Sequence, residues 1–279
     1  MGSGYILAKG RKIHIEKPLL MGILNVTPDS FSDGGKYMSS ESALERSFQM
    51  LDDGADIIDI GAESSRPFAM PVSVEDEKER IGNIVRQLSQ KGAIVSIDTY
   101  KPAVADFALS QGAAIVNDIT GLRDPDMIDV VARHRAGIVI MHMQGTPRTM
   151  QVAPKYNDVV DDILEYLEKQ ARTAQENGID KRSIVLDPGI GFGKSADDNF
   201  TILREIESFL SPGYPVLIGA SRKSFLKEIG QESIESRITG SLAAASIAVF
   251  LGAAIIRTHD IPDTRLAIDT AWTIRKGLQ

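Results

Sequence analysis

The sequence contains no cysteine among its 279 residues. This absence excludes disulfide bonds, iron–sulfur clusters, thiolate zinc sites and cysteine nucleophiles, and it gives no sign of secretion. The remaining composition is ordinary for a globular protein, with 43% hydrophobic and 25% charged residues. A chain of this length can bury a large core, so we expect a folded globular protein.

An excess of positive charge is also absent, because the formal net charge is −7 at pH 7. Nonspecific binding to nucleic acid needs a basic surface, and we therefore expect no nucleic-acid partner. The overall charge still leaves room for a local cationic pocket that binds an anionic small molecule.

Long apolar runs are missing as well. The longest run, residues 242–256, falls short of the ~20 residues that a membrane-spanning helix needs. Near the N-terminus, Lys9, Arg11 and Lys12 interrupt any apolar run, which argues against a secretory signal. We therefore expect a cytoplasmic protein that makes no use of a membrane.

The chain alternates short apolar runs with longer amphipathic stretches, and no low-complexity linker divides it. Most of the short runs are β-branched and nearly continuous, as is typical of strands that are buried on both faces. There are eight such runs, at residues 19–26, 56–60, 93–97, 114–116, 137–141, 183–186, 215–219 and 253–256.

The stretches between these runs have a helical pattern, at residues 41–53, 74–90, 101–111, 125–133, 157–177, 197–209, 235–251 and 262–276. Strands that alternate with helices indicate a parallel sheet, and eight such units favour a closed (β/α)8 TIM barrel. We predict this α/β barrel as a single domain over residues 1–279. Residues 5–15, with Lys9 and Gly10 near the middle, predict a hairpin within residues 1–17 that closes the N-terminal end of the barrel.

A hydrogen-bonding or charged side chain follows every apolar run. In a barrel these positions meet at the C-terminal rim, where active sites lie. One alternative is that such residues cap the following helices, but Asp98, Asn117 and Asp187 lie inside or directly after the runs, and caps usually come later. Charge there costs stability unless something pairs with it, so a ligand is the more economical explanation. The residues at the run ends are Asn25, Asp59 with Glu63, Asp98, Asn117 with Asp118, His142, Asp187, Ser221 with Arg222 and Lys223, and Arg257 with His259.

The types of these side chains suggest the type of ligand. Asp98, Asn117 and Asp187 supply hydrogen-bond acceptors and an amide, which suit a planar heterocycle that carries amino and lactam groups. Lys223 would then face a carbonyl oxygen or a ring nitrogen of the ligand. Flat apolar walls are available from three residues near the same run ends: Ile119, Met141 and Phe192.

A second group of residues follows the eighth apolar run. Arg257 and His259 would form a cationic cluster, and barrels often bind phosphate near their seventh and eighth strands. A diphosphate fits the guanidinium fork of an arginine well. The alternative for Arg257 is a surface salt bridge, and His259 on its own favours neither interpretation.

A glycine-rich stretch at residues 188–195 is similar to a nucleotide-binding loop. The Walker A motif requires glycine where this chain has Pro188, and the Rossmann fingerprint requires glycine where it has Lys194. We therefore reject an ATPase or an NAD enzyme. The glycines instead let the backbone turn sharply near a ligand, with Phe192 projected toward it.

Two long loops follow predicted strands, at residues 26–35 and 62–71. Both are rich in hydroxyl groups and contain an aromatic residue near a proline. They are either ordinary mobile loops or lids that close over a second substrate and a metal–diphosphate.

Eight short segments together resemble the dihydropteroate synthase family, and they occur in that family's order. The resemblance extends from about residue 18 to residue 275, which is nearly the whole chain. One such segment is weak evidence, whereas the ordered set is highly specific. The segments are residues 22–34, 54–61, 96–99, 116–119, 141–143, 187–193, 221–224 and 257–259.

The resemblance implies a transferase that condenses 6-hydroxymethyl-7,8-dihydropterin diphosphate with p-aminobenzoate, with Mg2+ as cofactor. It implies a pterin site of Asp98, Asn117, Ile119, Met141, Asp187, Phe192 and Lys223. It implies a diphosphate site of Asn25, Ser65, Arg257 and His259, with Asn25 and Asp33 as metal ligands. It implies a p-aminobenzoate site of Phe31, Arg66, Pro67, Phe192 and Ser224. The catalytic residues would be Asp98, Asp187, Lys223 and Arg257, and the family implies a homodimer.

One departure from the family pattern lies in the second loop, where Phe68 replaces a glycine and so affects the conformation of that loop. Three other functions compete with the synthase. A pterin-binding methyltransferase would have no use for the diphosphate residues or for Phe31, and a noncatalytic pterin-binding barrel would not need Asn25, Ser65 and Arg257. An aldolase-like barrel would need a lysine inside a strand, whereas Lys223 follows one.

Overall fold

The chain begins with an antiparallel hairpin. The computed structural model describes residues 4–27, 40–64, 71–147 and 149–277. Strands β1 (Gly4–Ala8) and β2 (Arg11–Ile15) pair through a turn at Lys9 and Gly10, whose φ angles are 50° and 75°. Positive φ at both central residues is typical of the tight turn that matches the twist of a hairpin. The predicted hairpin is confirmed.

Eight parallel strands form the central sheet of the described residues. Their order in the sheet is β8-β7-β6-β5-β4-β3-β10-β9, and a parallel bridge between Leu186 and Val216 links the two ends. The predicted α/β barrel is therefore confirmed. The strands are β3 (Leu19–Asn25), β4 (Ile57–Gly61), β5 (Ile94–Asp98), β6 (Ile115–Asp118), β7 (Gly137–Met141), β8 (Ile184–Asp187), β9 (Leu217–Ile218) and β10 (Ile255–Thr258).

Helices connect the strands and cover the outside of the sheet. Their ends carry the expected signals, for example the Ser195 side chain that accepts from the Asp198 amide in a capping box. The helices are α1 (Ser40–Asp52), α2 (Val74–Gln90), α3 (Pro102–Ser110), α4 (Pro125–His134), α5 (Val159–Glu176), α6 (Ala196–Arg204), α7 (Ile206–Leu210), α8 (Ser236–Leu251) and α9 (Ile261–Lys276). Within the described ranges, no helix is both long enough and apolar enough to cross a membrane.

Aliphatic side chains fill the N-terminal end of the barrel. Ile6, Ala8 and Ile13 of the hairpin are buried in one cluster with side chains from the first residues of the strands. The hairpin therefore packs against the end of the barrel that is opposite to the strand exits. The strand residues in this cluster are Leu19, Met21, Ile57, Ile115, Val139, Val185, Leu217 and Ile255.

Two elements differ from the sequence prediction. The helix predicted over residues 197–209 is interrupted at Glu205, so that α6 and α7 are separate. Because Leu203, Ile206 and Phe209 are all buried and three residues apart, hydrophobic periodicity could not reveal the break. The strand predicted over residues 215–219 is reduced to Leu217–Ile218.

Candidate active site

The strand register brings polar side chains together at the C-terminal mouth of the barrel. Asn25 is paired with Gly61, Gly61 with Asp98, and Asp98 with Asn117. Gly61 has no side chain, and a Cβ there would lie 3.6 Å from Asn25 Oδ1 and 3.7 Å from Asp98 Oδ2. Asn25 Oδ1 and Asp98 Oδ2 therefore both lie beside Gly61, each within van der Waals distance of the position of a Cβ.

Arg257, near the end of β10, reaches across to two carboxylates. Its Nε lies 2.7 Å from Asp59 Oδ2 and its Nη2 lies 2.6 Å from Asp98 Oδ2. Burial works against the charge of Arg257, yet the carboxylates of Asp59 and Asp98 raise its pKa above the ordinary value. Arg257 is therefore a permanent cation in the middle of the acidic residues and not part of a separate cationic cluster.

Asp59 is a member of the site that sequence reasoning placed at the rim without giving it a role. Its side chain is fully buried, and its Oδ2 also accepts a hydrogen bond of 2.9 Å from Asn117 Nδ2. Among the described residues, Asp59 Oδ1 and Asn117 Oδ1 are buried without a partner. Unpaired buried acceptors are costly, so both atoms are suited to accept hydrogen bonds from a ligand or a water molecule.

Ionisable groups on both sides of the mouth have shifted pKa values. Burial raises the pKa of Asp98 to about 7, although Arg257 opposes the shift. Burial also raises the pKa of Asp187, which Lys223 opposes, and it lowers the pKa of Lys223 to about 7, which Asp187 opposes. Asp187, Lys223 and Arg257 come from the ends of β8, β9 and β10, which are neighbours in the closed sheet, so these three groups converge at one mouth, as predicted. Such shifts are typical of functional sites.

An apolar wall adjoins these charges. Ile119, Met141, Met143 and Met150 are buried in one cluster, against which Phe192 packs while remaining partly exposed. Ile119, Met141 and Phe192 thus lie together, as the sequence predicted. A flat apolar surface beside buried hydrogen-bonding groups is suited to a planar heterocycle.

The glycine-rich stretch packs closely against neighbouring backbone. A Cβ at Gly189, whose φ is 73°, would lie 2.0 Å from the carbonyl oxygen of His142. The Asp187 carboxylate accepts a 2.7 Å hydrogen bond from the Gly189 amide. Lys223 donates to the carbonyl oxygen of Ile190, and its Nζ lies 4.2 Å from the centre of the Phe192 ring. The stretch therefore shapes the pocket beside Lys223.

His259 and Ser224 lie on the side of the mouth nearest to β9 and β10. The His259 Nδ1 lies 3.1 Å from the hydroxyl of Ser221, and burial lowers the pKa of His259 to about 4. His259 is therefore a neutral imidazole near pH 7, so its contribution would be a hydrogen bond and not a charge. Ser224 is exposed at the start of the short 3-10 helix Ser224–Ile229.

A buried ion network lies at the foot of the second long loop. Lys101 forms ion pairs with Glu63 and Glu77, and the Tyr100 hydroxyl donates a 2.7 Å hydrogen bond to Glu63. This network lies beside a cleft that is also lined by Asp98. Of its members, sequence reasoning named Glu63 at a run end and gave it no role; the others carried no motif that would have shown them.

One run-end residue bonds the local backbone, although it caps no helix, because the N-cap of α4 is Asp124. Asp118 accepts hydrogen bonds of 2.8 Å and 2.9 Å from the amides of Thr120 and Leu122, so it stabilises the turn after β6. Asn117, one position earlier, points instead to Asp59, because successive side chains of a strand point to opposite faces. The predicted residues Phe31, Asp33, Ser65, Arg66 and Pro67, together with Phe68, lie outside the described residues.

A TIM barrel whose mouth combines buried carboxylates, an amide and a lysine beside an apolar wall fits a pterin-binding enzyme. The family described as pterin binding enzyme matches residues 21–259. The dihydropteroate synthase of Escherichia coli K12 is 42% identical over 260 residues, which cover 93% of this chain and 92% of that protein. This chain belongs to the dihydropteroate synthase family, whose members are transferases of folate synthesis.

Solved structures of this family have the same fold. Dihydropteroate synthase from Xanthomonas albilineans, solved with 4-aminobenzoic acid, has a TM-score of 0.91 and 40% identity, covering 99% of this chain and 100% of that one. The Burkholderia cenocepacia enzyme, complexed with 7,8-dihydropteroate, has a TM-score of 0.87 and 40% identity, covering 98% and 97%.

Proposed function

We propose that this chain condenses 6-hydroxymethyl-7,8-dihydropterin diphosphate with p-aminobenzoate to give 7,8-dihydropteroate and diphosphate, which is the reaction of its family. The observation that carries the proposal is the convergence of Asp98, Asp187, Lys223 and Arg257 at one mouth, where Arg257 pairs with Asp98 and Lys223 bonds the loop that follows Asp187. A methyltransferase would need the pterin pocket, but it would have no use for an arginine that can bind a diphosphate.

The pterin ring would lie against Ile119, Met141 and Phe192. Its amino and ring N–H groups would donate to Asp187 and to the unpaired Oδ1 of Asn117, and Lys223 would donate to a ring acceptor. Burial has already displaced water from these groups, so each hydrogen bond to a charged partner is worth about 1.5–3 kcal/mol.

The diphosphate would lie beside Arg257, with Asn25, Ser65 and His259 as further contacts. Arg257 now donates to Asp59 and Asp98, and Asp98 has a raised pKa of about 7. A diphosphate oxygen can therefore take the place of Asp98 at the Nη2 donor, while Asp59 continues to orient the guanidinium through Nε. His259 would donate from a neutral ring.

Mg2+ would bind at Asn25, with Asp33 as a second ligand. In the described part of the chain, no group of three or more His, Asp or Glu side chains could hold a metal. Mg2+ is commonly bound through one or two carboxylates together with substrate phosphates. Asp33 would supply the carboxylate, and Asn25 Oδ1, which lies beside Gly61, would supply a further oxygen. When bound, the ion would neutralise charge on the leaving diphosphate.

The p-aminobenzoate would lie between Phe192 and Ser224, and the proposed site also includes Phe31, Arg66 and Pro67 of the two loops. Phe192 is partly exposed and Ser224 is exposed, so both are accessible to a second substrate. Because Lys223 lies 4.2 Å from the centre of the Phe192 ring, the two substrate sites would share this wall.

The reaction would be a dissociative substitution at the pterin methylene. The C–O bond breaks and diphosphate leaves with the electron pair, the arylamine nitrogen then forms the new C–N bond, and its surplus proton passes to solvent. The carboxylates of Asp98 and Asp187 would stabilise positive charge on the pterin, and Arg257 would stabilise the leaving group. The arylamine has a free lone pair near neutral pH, so the reaction needs no strong general base.

An assay of diphosphate release tests this proposal. We expect release that requires both pterin diphosphate and p-aminobenzoate, that is lost in EDTA and that returns when Mg2+ is added. Release without p-aminobenzoate would contradict the synthase reaction, and unchanged release in EDTA would contradict the metal.

We also propose that the enzyme is a cytoplasmic homodimer that associates through its last two helices. Large apolar side chains are exposed there, with Phe250 on α8 49% exposed and Leu266 and Ile274 on α9 71% and 70% exposed. Exposed apolar patches commonly mark interfaces. Sedimentation should give twice the chain mass of 30.3 kDa, and Leu266→Glu should shift the protein toward the monomer.

A further inference from the structure

Lys194 is a buried lysine that the proposed reaction does not use. Its side chain is 4% exposed. The described residues offer its Nζ three acceptors, namely the Phe192 carbonyl oxygen at 2.9 Å, the His142 carbonyl oxygen at 3.3 Å and the His142 Nδ1 at 3.1 Å. An ammonium group has three donors, and burying it costs stability unless they are satisfied. The three contacts offset part of the cost of placing an amine here, and burial still lowers the pKa of Lys194 to about 7.

These contacts join two segments at the mouth of the barrel. His142 follows β7 directly, and Phe192 lies in the loop after β8. The ammonium form of Lys194 has donors only, so in that form the His142 Nδ1 accepts and the proton of the neutral ring is on Nε2. The Tyr166 ring fixes the imidazole edge-on at 5.1 Å, and the Tyr156 hydroxyl donates a 2.6 Å hydrogen bond to the Gly193 carbonyl. Lys194 and Tyr156 thus hold the same loop from the same side.

The loop held in this way forms one wall of the pocket. It carries the Phe192 ring, whose centre lies 4.2 Å from Lys223 Nζ, and the Ile190 carbonyl that accepts from Lys223. A Cβ at Gly193 would lie 2.8 Å from the carbonyl oxygen of Gln144, so the loop packs directly on the segment that follows His142. A small shift of this loop would move Phe192 and Lys223 together.

We propose that Lys194 is a positioning residue for the pterin pocket, which ties the Phe192 carbonyl to His142 and so holds the Phe192 ring and the Lys223 amine at the spacing that a pterin requires. This inference rests on the proposed function. The charge of Lys194 also lies near enough to Asp187 to oppose the rise of the Asp187 pKa. Lys194 therefore acts on three members of the pocket, Phe192, Lys223 and Asp187, without touching the ligand.

The test compares Lys194→Met with Lys169→Met. Methionine keeps the length of an unbranched side chain and removes the three donors, and Lys169 is an exposed residue of α5, the helix that carries Tyr166. Both variants and the parent are titrated calorimetrically with 6-hydroxymethyl-7,8-dihydropterin and assayed for diphosphate release. We expect Lys194→Met to weaken pterin binding and to raise the KM for pterin diphosphate by about tenfold, with kcat within about twofold. Lys169→Met should match the parent.

A second variant addresses misfolding of Lys194→Met. Tyr156→Phe removes one hydrogen bond to the same loop, and it should weaken pterin binding by about threefold with kcat unchanged. The proposal fails if Lys194→Met folds and binds pterin like the parent. It also fails if Lys194→Met does not fold and Tyr156→Phe binds pterin like the parent. The measurements on the parent protein test the proposed function separately. A parent that neither binds pterin nor releases diphosphate would overturn the proposed function itself.

Discussion

Arg257 and Asp59 are 198 residues apart in the chain, yet Arg257 Nε lies 2.7 Å from Asp59 Oδ2 inside the barrel. The Asp59 side chain is fully buried and that of Arg257 is 17% exposed. The pair therefore fixes the direction of the guanidinium, whose Nη2 donates to Asp98 at the mouth. This arrangement pre-organises Arg257 for an anion.

Replacing Asp59 should therefore affect both stability and the binding of diphosphate. Asp59→Asn removes a charged partner of Arg257, and we expect unfolding to become easier by about 1.5–3 kcal/mol and the KM for pterin diphosphate to rise. Urea unfolding and steady-state kinetics measure the two effects. Glu168→Gln is a matched control, because its ion pair with Arg172 is exposed on α5 and should be worth about 0.3–0.5 kcal/mol. Equal effects of the two substitutions would contradict a structural role for Asp59.

Removing the Arg257 side chain should distinguish the contribution of the diphosphate to binding from that of the pterin ring. We expect Arg257→Ala to weaken binding of pterin diphosphate far more than binding of the same pterin without phosphates, by at least about tenfold. Calorimetric titration with each ligand measures the difference. Equal losses for both ligands would place Arg257 in the ring pocket and not at the diphosphate.

Two residues of the ring pocket can be tested with the pterin that lacks phosphates. Asp187→Asn and Lys223→Ala should each weaken its binding by about tenfold to a hundredfold, as expected for buried hydrogen bonds to charged groups. Lys227→Ala, an exposed residue of the same 3-10 helix as Ser224, is the control for Lys223. Unchanged affinity in both site variants would overturn the pocket assignment.

The close packing of Gly189 predicts a selective effect of alanine. Gly189 and Gly178 both have positive φ, at 73° and 92°. A Cβ at Gly189 would meet the His142 carbonyl oxygen at 2.0 Å, whereas a Cβ at Gly178 would have no described atom within 4 Å apart from those of Gly178 and its chain neighbours. Gly178→Ala should cost about 1–2 kcal/mol from backbone strain, and Gly189→Ala about 1–3 kcal/mol more. Denaturant midpoints measure both effects. Equal midpoints for Gly178→Ala and Gly189→Ala would show that the loop shifts to accommodate the Cβ at little cost in stability.

His142 should make stability depend on pH. Burial lowers the pKa of His142 from 6.5 to about 3, so between these values the unfolded chain binds a proton that the folded chain does not. Stability must therefore fall as the pH falls through 6.5, by about 1.4 kcal/mol per pH unit for this one group. The raised pKa of Asp98 acts in the opposite direction below pH 7.

A difference experiment isolates the histidine. We expect the unfolding free energy of His142→Gln to decline less steeply than that of the parent between pH 6 and pH 4.5. The two slopes should differ by about 1.4 kcal/mol per pH unit, which corresponds to one proton. Lys194, whose lowered pKa is about 7, loses its proton in a higher pH range and does not interfere. Parallel curves for the two proteins would show that His142 is protonated in the folded state.

The barrel could be predicted from the sequence because its strands are buried on both faces, and buried strands produce short apolar runs between amphipathic helices. The site was predictable where a polar residue ends such a run, as Asp98, Asn117 and Asp187 do. The break at Glu205 was not, because the buried residues on both sides keep a helical spacing.

The partners within the site could not be predicted from the sequence. The pairing of Arg257 with Asp59 depends on the register between strands that are distant in the chain, and Asp59 stands inside an apolar run. Lys194 belongs to a stretch that is similar to a phosphate-binding loop, and its burial against His142 follows from the packing of two loops. The neutral state of His259 likewise results from burial, which residue type alone does not reveal.

The bridge between Leu186 and Val216 is where the two ends of the sheet meet, and β9 contributes two residues to its own ladder with β10. Asp187 immediately follows that bridge on β8, and Lys223 comes from the loop after β9. A ligand that forms hydrogen bonds to both residues would therefore connect the two ends of the sheet beside this bridge. Ligand binding would then stabilise the closed form of the barrel. Amide hydrogens near the Leu186–Val216 bridge would exchange more slowly in the complex than in the free enzyme.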